Sequence, residues 1–360
     1  MPSLKEIKGR INSISSTLAI TSAMKMVAAA KLQKAQMAIQ NMLPYERRLY
    51  SMLVDLMGAM NISAAASEDG SVRGSGSAER GFDQSGDRLS LSNRHDLAGM
   101  DGAYSLMAQR EVRKVAIVAF ASNSSLCGAF NSNVIREATA VINEYRASGL
   151  GDADITVYSV GRKMAEAMKK LGFPSPADFT KMSDSPSYDA ASALAQELLD
   201  GFVSGRFDKV ELVYNHYKST SSQPTTRQTY LPLSLADATA DIQVGKITDS
   251  ASESDTNRGA ESVGAPVVRQ GSPTTETPDL IVEPSKEELI VTLLPKVVRL
   301  RVFTTLLDSA AAEQAARTVA MQLATDNGND LLQELTLEYN KGRQQKITSE
   351  ILDIVGGSMQ

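Results

Sequence analysis

The sequence predicts an α/β chain in which long N- and C-terminal helices form an antiparallel coiled coil beside a small Rossmann-like α/β domain. Three observations predict it. A heptad runs through the first sixty residues, a helix-favouring stretch without proline closes the chain from Lys296, and strands alternate with helices between them. Aromatic residues are only 5% and Trp is absent, while Met reaches 15, the palette of helix-on-helix packing.

The opening heptad is Leu4, Ile7, Ile11, Ile14 and Leu18, then Ala28, Leu32, Ala35, Ile39 and Met42, then Leu49, Leu53, Leu56 and Met60. Its frame is polar at Thr21, Lys25 and Glu46, and Pro44 predicts a kink or a lost backbone bond. A straight helix of this length spans roughly 80 Å, too long for a compact globule. Residues 1–50 carry eight Lys/Arg against two Glu. A basic, acid-poor start resembles a transit peptide, but the heptad continues in register past any cleavage point and reads as structure.

Residues 63–110 and 241–282 read as flexible insertions. Their cores, 67–102 and 245–278, are rich in Ser, Gly and charge, without the apolar surface that offsets ordering entropy. Between them, 111–240 forms the globular domain. Val115–Phe120, Ile155–Val160 and 209–214 read as strands, and 131–147, 162–171 and 190–202 as helices. Residues 228–233 form an edge strand, confined to a rim by Pro232. The closing helix, 283–360, has a broken stripe of Val302, Leu306, Ala310, Leu331, Leu335, Ile347, Ile351 and Ile354. Asp326-Asn327-Gly328-Asn329 predicts a local kink, and Gly356-Gly357 a stop. Neither terminal helix can bury its stripe alone, so the two pair.

The chemistry-bearing residues are sparse. Ser122-Asn123-Ser124-Ser125-Leu126-Cys127-Gly128-Ala129 joins a strand to a helix where an anion loop would sit, but it lacks both the Walker and the GxGxxG spacing. His95 and His216 are the only histidines and Cys127 the only cysteine, a set that forms neither a triad nor a Cys-rich metal site. No cofactor is expected, and Cys127 reads as buried and structural. The basic first helix fits an acidic protein partner better than nucleic acid, since stacking aromatics are scarce. The competing reading is a nucleotide-binding Rossmann-like enzyme with a coiled-coil dimerisation arm.

Longer motifs carry a resemblance. Residues 20–31 read ITSAMKMVAAAK, 312–328 AEQAARTVAMQLATDNG, 337–344 LEYNKGRQ and 347–354 ITSEILDI, with SLCGAFN at 125–131, YNHYKS at 214–219 and YLPL at 230–233. Together they closely resemble the γ subunit of F-type ATP synthase, over nearly the whole chain outside the two insertions. The sequence departs from the family at Asn123-Ser124-Ser125, where relatives have Asp-Arg-Gly, and at Thr318, where Met is common. The cysteine pair of chloroplast members has no counterpart.

The resemblance implies a non-catalytic central stalk that couples c-ring rotation to conformational cycling of the α3β3 sites. Its partners are the α and β subunits, the ε subunit and the c ring, with membrane contact only through the complex, at the cytoplasmic face of a bacterial plasma membrane. It also implies contacts to β from Met24, Lys25, Met26, Arg343, Gln344, Thr348 and Glu350, and to the c ring or ε from Glu283 and Tyr214. For Met24 and Met26, plain core packing is an equal alternative.

Overall fold

The computed structural model describes residues 3–59, 106–233, 283 and 285–357. The centres of both insertions, 67–102 and 245–278, lie outside the described residues, as does Met60. The last residues of the first insertion belong to the fold. Leu106 is buried in the main core and accepts a bond from the Leu233 amide, and Arg110 donates to the Phe202 carbonyl while lying over its ring.

Helix α1 (Leu4–Ala59) runs without a break through Pro44, which is exposed, so its missing N–H is tolerated at the helix surface. The central domain follows as β1 (Val115–Phe120), α2 (Phe130–Ala147), β2 (Ile155–Val160), α3 (Arg162–Lys170), the short α4 (Thr180–Asp184), α5 (Tyr188–Val203), β3 (Lys209–Asn215) and β4 (Thr225–Leu231). Helix α6 (Lys286–Gly357) closes the described chain. The sheet order is β2-β1-β3-β4, with β1 parallel to both β2 and β3 and β4 antiparallel to β3 at the edge. That edge strand begins earlier than the sequence suggests, and α4 has too short a pattern to be read from it.

Strand β1 is buried along its whole length, as a central parallel strand must be. Its alternate residues separate two cores. Val115, Ile117 and Ala119 face α2 and α3, packing on Val134, Ile142, Met164 and Met168. Ala116, Val118 and Phe120 face α5 and the shaft, packing with Leu198, Phe202, Leu53, Leu56, Ile290, Val298 and Leu306. The second core welds the domain to the base of both long helices. Tyr230 adds an oriented bond, its hydroxyl donating to the Val298 carbonyl at 3.0 Å.

A charged group is buried where β4 joins the sheet. Glu211 on β3 accepts from the Tyr145 hydroxyl at 2.6 Å and from Arg227 Nε at 2.7 Å, and lies 2.7 Å from Lys209 Nζ. Burial alone would raise this carboxyl, yet the bonds from Arg227, Lys209 and Tyr145 hold it below its ordinary value. Its stabilising contribution is therefore present above pH 4.5, the ordinary glutamate value, and is lost as pH falls through the lower folded value. Arg227→Met leaves the Lys209 cation, beside the Tyr145 hydroxyl, against this carboxylate. A loss of about 2–4 kcal/mol in urea unfolding is expected at neutral pH, and it should shrink when the titration is repeated near pH 3.

Candidate functional site

The seam between α1 and α6 fixes everything the shaft exposes. Every described heptad position of α1 is buried or half-buried, including Thr21, Lys25 and Glu46, so the frame continues through the positions that read as breaks. Thr21 stays in register because its hydroxyl accepts from that of Thr325 across the seam at 3.0 Å. On α6 the facing residues are Met321, Thr325, Gly328, Leu332, Leu335, Tyr339 and Gly342, alternately four and three apart.

The pairing is antiparallel. Leu56 shares a core with Ile290, Leu49 with Val297, and Leu32 with Ala311 and Ala315. Further along, Leu18 meets Gly328 and Leu4 meets Gly342. Gly328 does not interrupt the helix. Helix α6 is continuous through Asp326–Asn329, and the glycine opens a slot for Leu18, whose Cδ2 would stand 2.6 Å from a Cβ there.

This register sorts the sequence-derived β contacts into two tiers that do not meet. Met24 and Met26 are 40% and 65% exposed, which removes the core-packing alternative, and Lys25 is half-buried at the seam. They form a collar with Ile20 and Val27, near Leu323 on α6. Arg343, Gln344, Thr348 and Glu350 lie beyond Leu4, where α6 has no partner helix among the described residues. From Thr325 to Arg343 the helix rises roughly 27 Å. In this tip Thr348 bonds back to the Gln344 carbonyl at 2.9 Å and Glu350 pairs with Lys346 at 3.8 Å, leaving Arg343 and Gln344 exposed.

The tip also changes its apolar face. The seam positions give way to Lys346 and Ser349, while Ile347, Ile351, Leu352, Ile354 and Val355 stand exposed. A lone helix of this length is marginal in water, and its stripe fits a partner other than α1. Sequence reasoning missed Ile20, Val27, Leu323 and Leu337, all exposed. The available signal was large apolar residues off the heptad frame; Leu323, Leu337 and Ile351 recur fourteen apart.

The remaining expected contacts lie at the other end. Glu283 is exposed just before α6, and Tyr214 is half-buried against the main core. The strand-to-helix turn after β1 is braced by bonds to the Asn131 and Asn123 side chains. Ser122 N–H donates to Asn131 Oδ1 at 3.0 Å, and Arg162 N–H donates to Asn123 Oδ1 at 2.8 Å. Cys127 is buried beside Ser122 and Asn131. This packing gives the nucleotide-enzyme reading no support. Among the described residues no group of His, Cys, Asp or Glu is placed to hold a metal ion, and no helix is long and apolar enough to cross a membrane.

The geometry defines a class: a two-helix rod on an α/β base, with exposed apolar side chains in two tiers. The family model described as ATP synthase matches residues 3–359. The chain is 47% identical to the ATP synthase gamma chain of Phocaeicola vulgatus, with 100% of both chains covered. It is 45% identical to that of Bacteroides thetaiotaomicron, again over 100% of both. A chain in the cryo-EM structure of the Euglena gracilis mitochondrial ATP synthase (OSCP/F1/c-ring, rotational state 3) shares the fold at a TM-score of 0.52 and 19% identity, over 99% of this chain and 93% of that one. The protein belongs to this ATP synthase family.

A larger side chain at the seam glycine tests the register. Gly328→Leu overfills the slot taken by Leu18 and is expected to cost about 1–3 kcal/mol. Adding Leu18→Ala should recover most of that loss, read from helical circular dichroism on urea titration.

Proposed function

We propose that this chain is the central rotor shaft of an F-type ATP synthase, turning inside the α3β3 ring and carrying no catalytic group of its own. The observation that carries the reading is full-length identity with gamma chains, joined to a rod that leaves two apolar tiers uncovered. Nucleotide chemistry then belongs to the ring. The shaft acts by differential contact, favouring a different conformation at each of three sites as it turns, the form that any such coupling takes.

In this reading the base, with Glu283 and Tyr214, meets the c ring and ε, and the chain is held at the cytoplasmic face of a bacterial plasma membrane through the complex alone. The collar of Met24, Lys25 and Met26 and the tip residues Arg343, Gln344, Thr348 and Glu350 face β. Exposed Lys5, Lys8 and Lys34 on α1 give the rod a basic side suited to acidic loops. Arg343 presents a planar fork that binds a carboxylate through two bonds. The lone tip gains its helical order from the sleeve around it.

The test is co-expression with α and β chains of the same genome. The expected result is an assembled complex with steady ATPase activity that falls away when this chain is omitted. ATP hydrolysis by the purified chain alone, or a ring whose rate ignores it, would end the proposal. Arg343→Ala and Gln344→Ala are each expected to lower coupled turnover about three- to tenfold, the loss of about 1 kcal/mol from one polar contact. The variant chains should keep the parent's circular dichroism.

A further inference from the structure

The sheet domain meets the shaft in two chemically different ways. The main core is apolar and interdigitated, and because apolar attraction is itself non-directional, the angle between domain and rod is fixed jointly by that packing and by oriented bonds. Oriented bonds resist rolling, and a dense set of them gathers at the corner between β3 and β4. An antiparallel pair of strands can be joined by two residues, yet this chain uses residues 216–224. The extra length is braced. His216 N–H donates to the Pro224 carbonyl, Ser219 and Ser222 exchange backbone bonds, and Gln223 Nε2 donates to the carbonyls of Ser219 and Thr220. Buried Asn215 ties the corner's base to the Phe130 carbonyl at 3.1 Å and accepts from Thr225 at 2.7 Å.

This stiff corner grips both long helices. On α6, Asp308 accepts the Tyr217 amide through Oδ1 at 2.8 Å and meets His216 Nδ1 through Oδ2 at 2.6 Å. On α1, Gln36 Nε2 donates to the Tyr217 hydroxyl at 2.6 Å. The Tyr217 ring lies between two small apolar clusters, one holding Leu32, Ala311 and Ala315, the other Cys127, Phe130 and Ala312. The corner therefore bonds to each helix of the rod.

We propose that the His216–Tyr217 corner is a torque lock, in which Asp308 and Gln36 pin the sheet domain against rotation about the shaft. The inference rests on the rotor reading above. Asp308, Tyr217 and Gln36 are positioning residues: they touch no nucleotide and act by keeping load on the base aligned with the rod. An unloaded shaft turns without them. A loaded one slips or twists at the joint.

The experiment uses the complete complex in inverted membrane vesicles, starting from a parent that couples, so failure of the rotor reading is seen before any variant is made. Two rates are compared: ATP hydrolysis by the ring and shaft stripped from the membrane, and ions pumped per ATP hydrolysed by the intact complex. Asp308→Ala is expected to leave stripped hydrolysis within about twofold of the parent while lowering the pumping ratio at least threefold. Asp308→Asn keeps an oxygen for the Tyr217 amide and should retain more than half of the ratio. If Asp308→Ala does not assemble, Tyr217→Phe, which removes the hydroxyl's bonds to Gln36 and to Thr220 within the corner, should lower the ratio by a third or more. An unchanged ratio in the variant that assembles, or stripped hydrolysis falling in step with pumping, overturns the lock.

Discussion

The structure depends on the close approach of α1 and α6 at a seam where α6 places glycine at two positions, 328 and 342. Gly328 and Gly342 let the helices come near enough for Leu18 and Leu4 to seat directly on backbone. The Thr21–Thr325 hydroxyl pair fixes the register between them. Because a heptad seam tolerates no arbitrary slip, this one register determines which side chains face outward and where the second helix ends. It also determines that α6 continues past Leu4 without a partner helix among the described residues.

Two properties of the rod follow from that seam. A paired coiled coil resists twist and bending better than one helix, so the shaft can carry load over the stretch from the domain to the end of α1. The tip of α6 has no such support among the described residues, and its apolar face stands exposed. Toward the base, the stiffness of the rod passes into the sheet through a shared core, the Tyr230 bond to α6 and the joint between Arg317 and the turn after β1. There Arg317 meets Glu313 at 2.7 Å and donates to Ser124 Oγ at 2.7 Å. Burial raises the Glu313 carboxyl, with Arg317 acting against it.

Much of this was legible in the residues. The α1 heptad marks its buried face, and the run VAIVAF marks a central strand, because local period and burial are coupled one to one in these elements. What escaped was set by contacts between distant segments. Gly328 reads locally as a helix breaker, and only Leu18, far away in sequence, makes it a slot. Thr21 reads as a break in an apolar frame until its partner hydroxyl is known. The expected β contacts looked like one set, since nothing in the spacing of Met24 or Arg343 states how far α6 overhangs α1. Tyr217 lies within the YNHYKS motif, but nothing local stated its role, because that comes from Gln36 and Asp308 converging on it.

The central claim is the antiparallel register itself, and a crosslink reads it most directly. With Cys127→Ser removing the native thiol, Leu18→Cys and Gly328→Cys are introduced together, since a Cβ at 328 lies 3.1 Å from Leu18 Cγ and so within reach of disulfide geometry. Mild oxidation should close this pair within one chain, while Leu18→Cys combined with Gly342→Cys should stay reduced. Closure of the second pair in preference to the first would contradict the account.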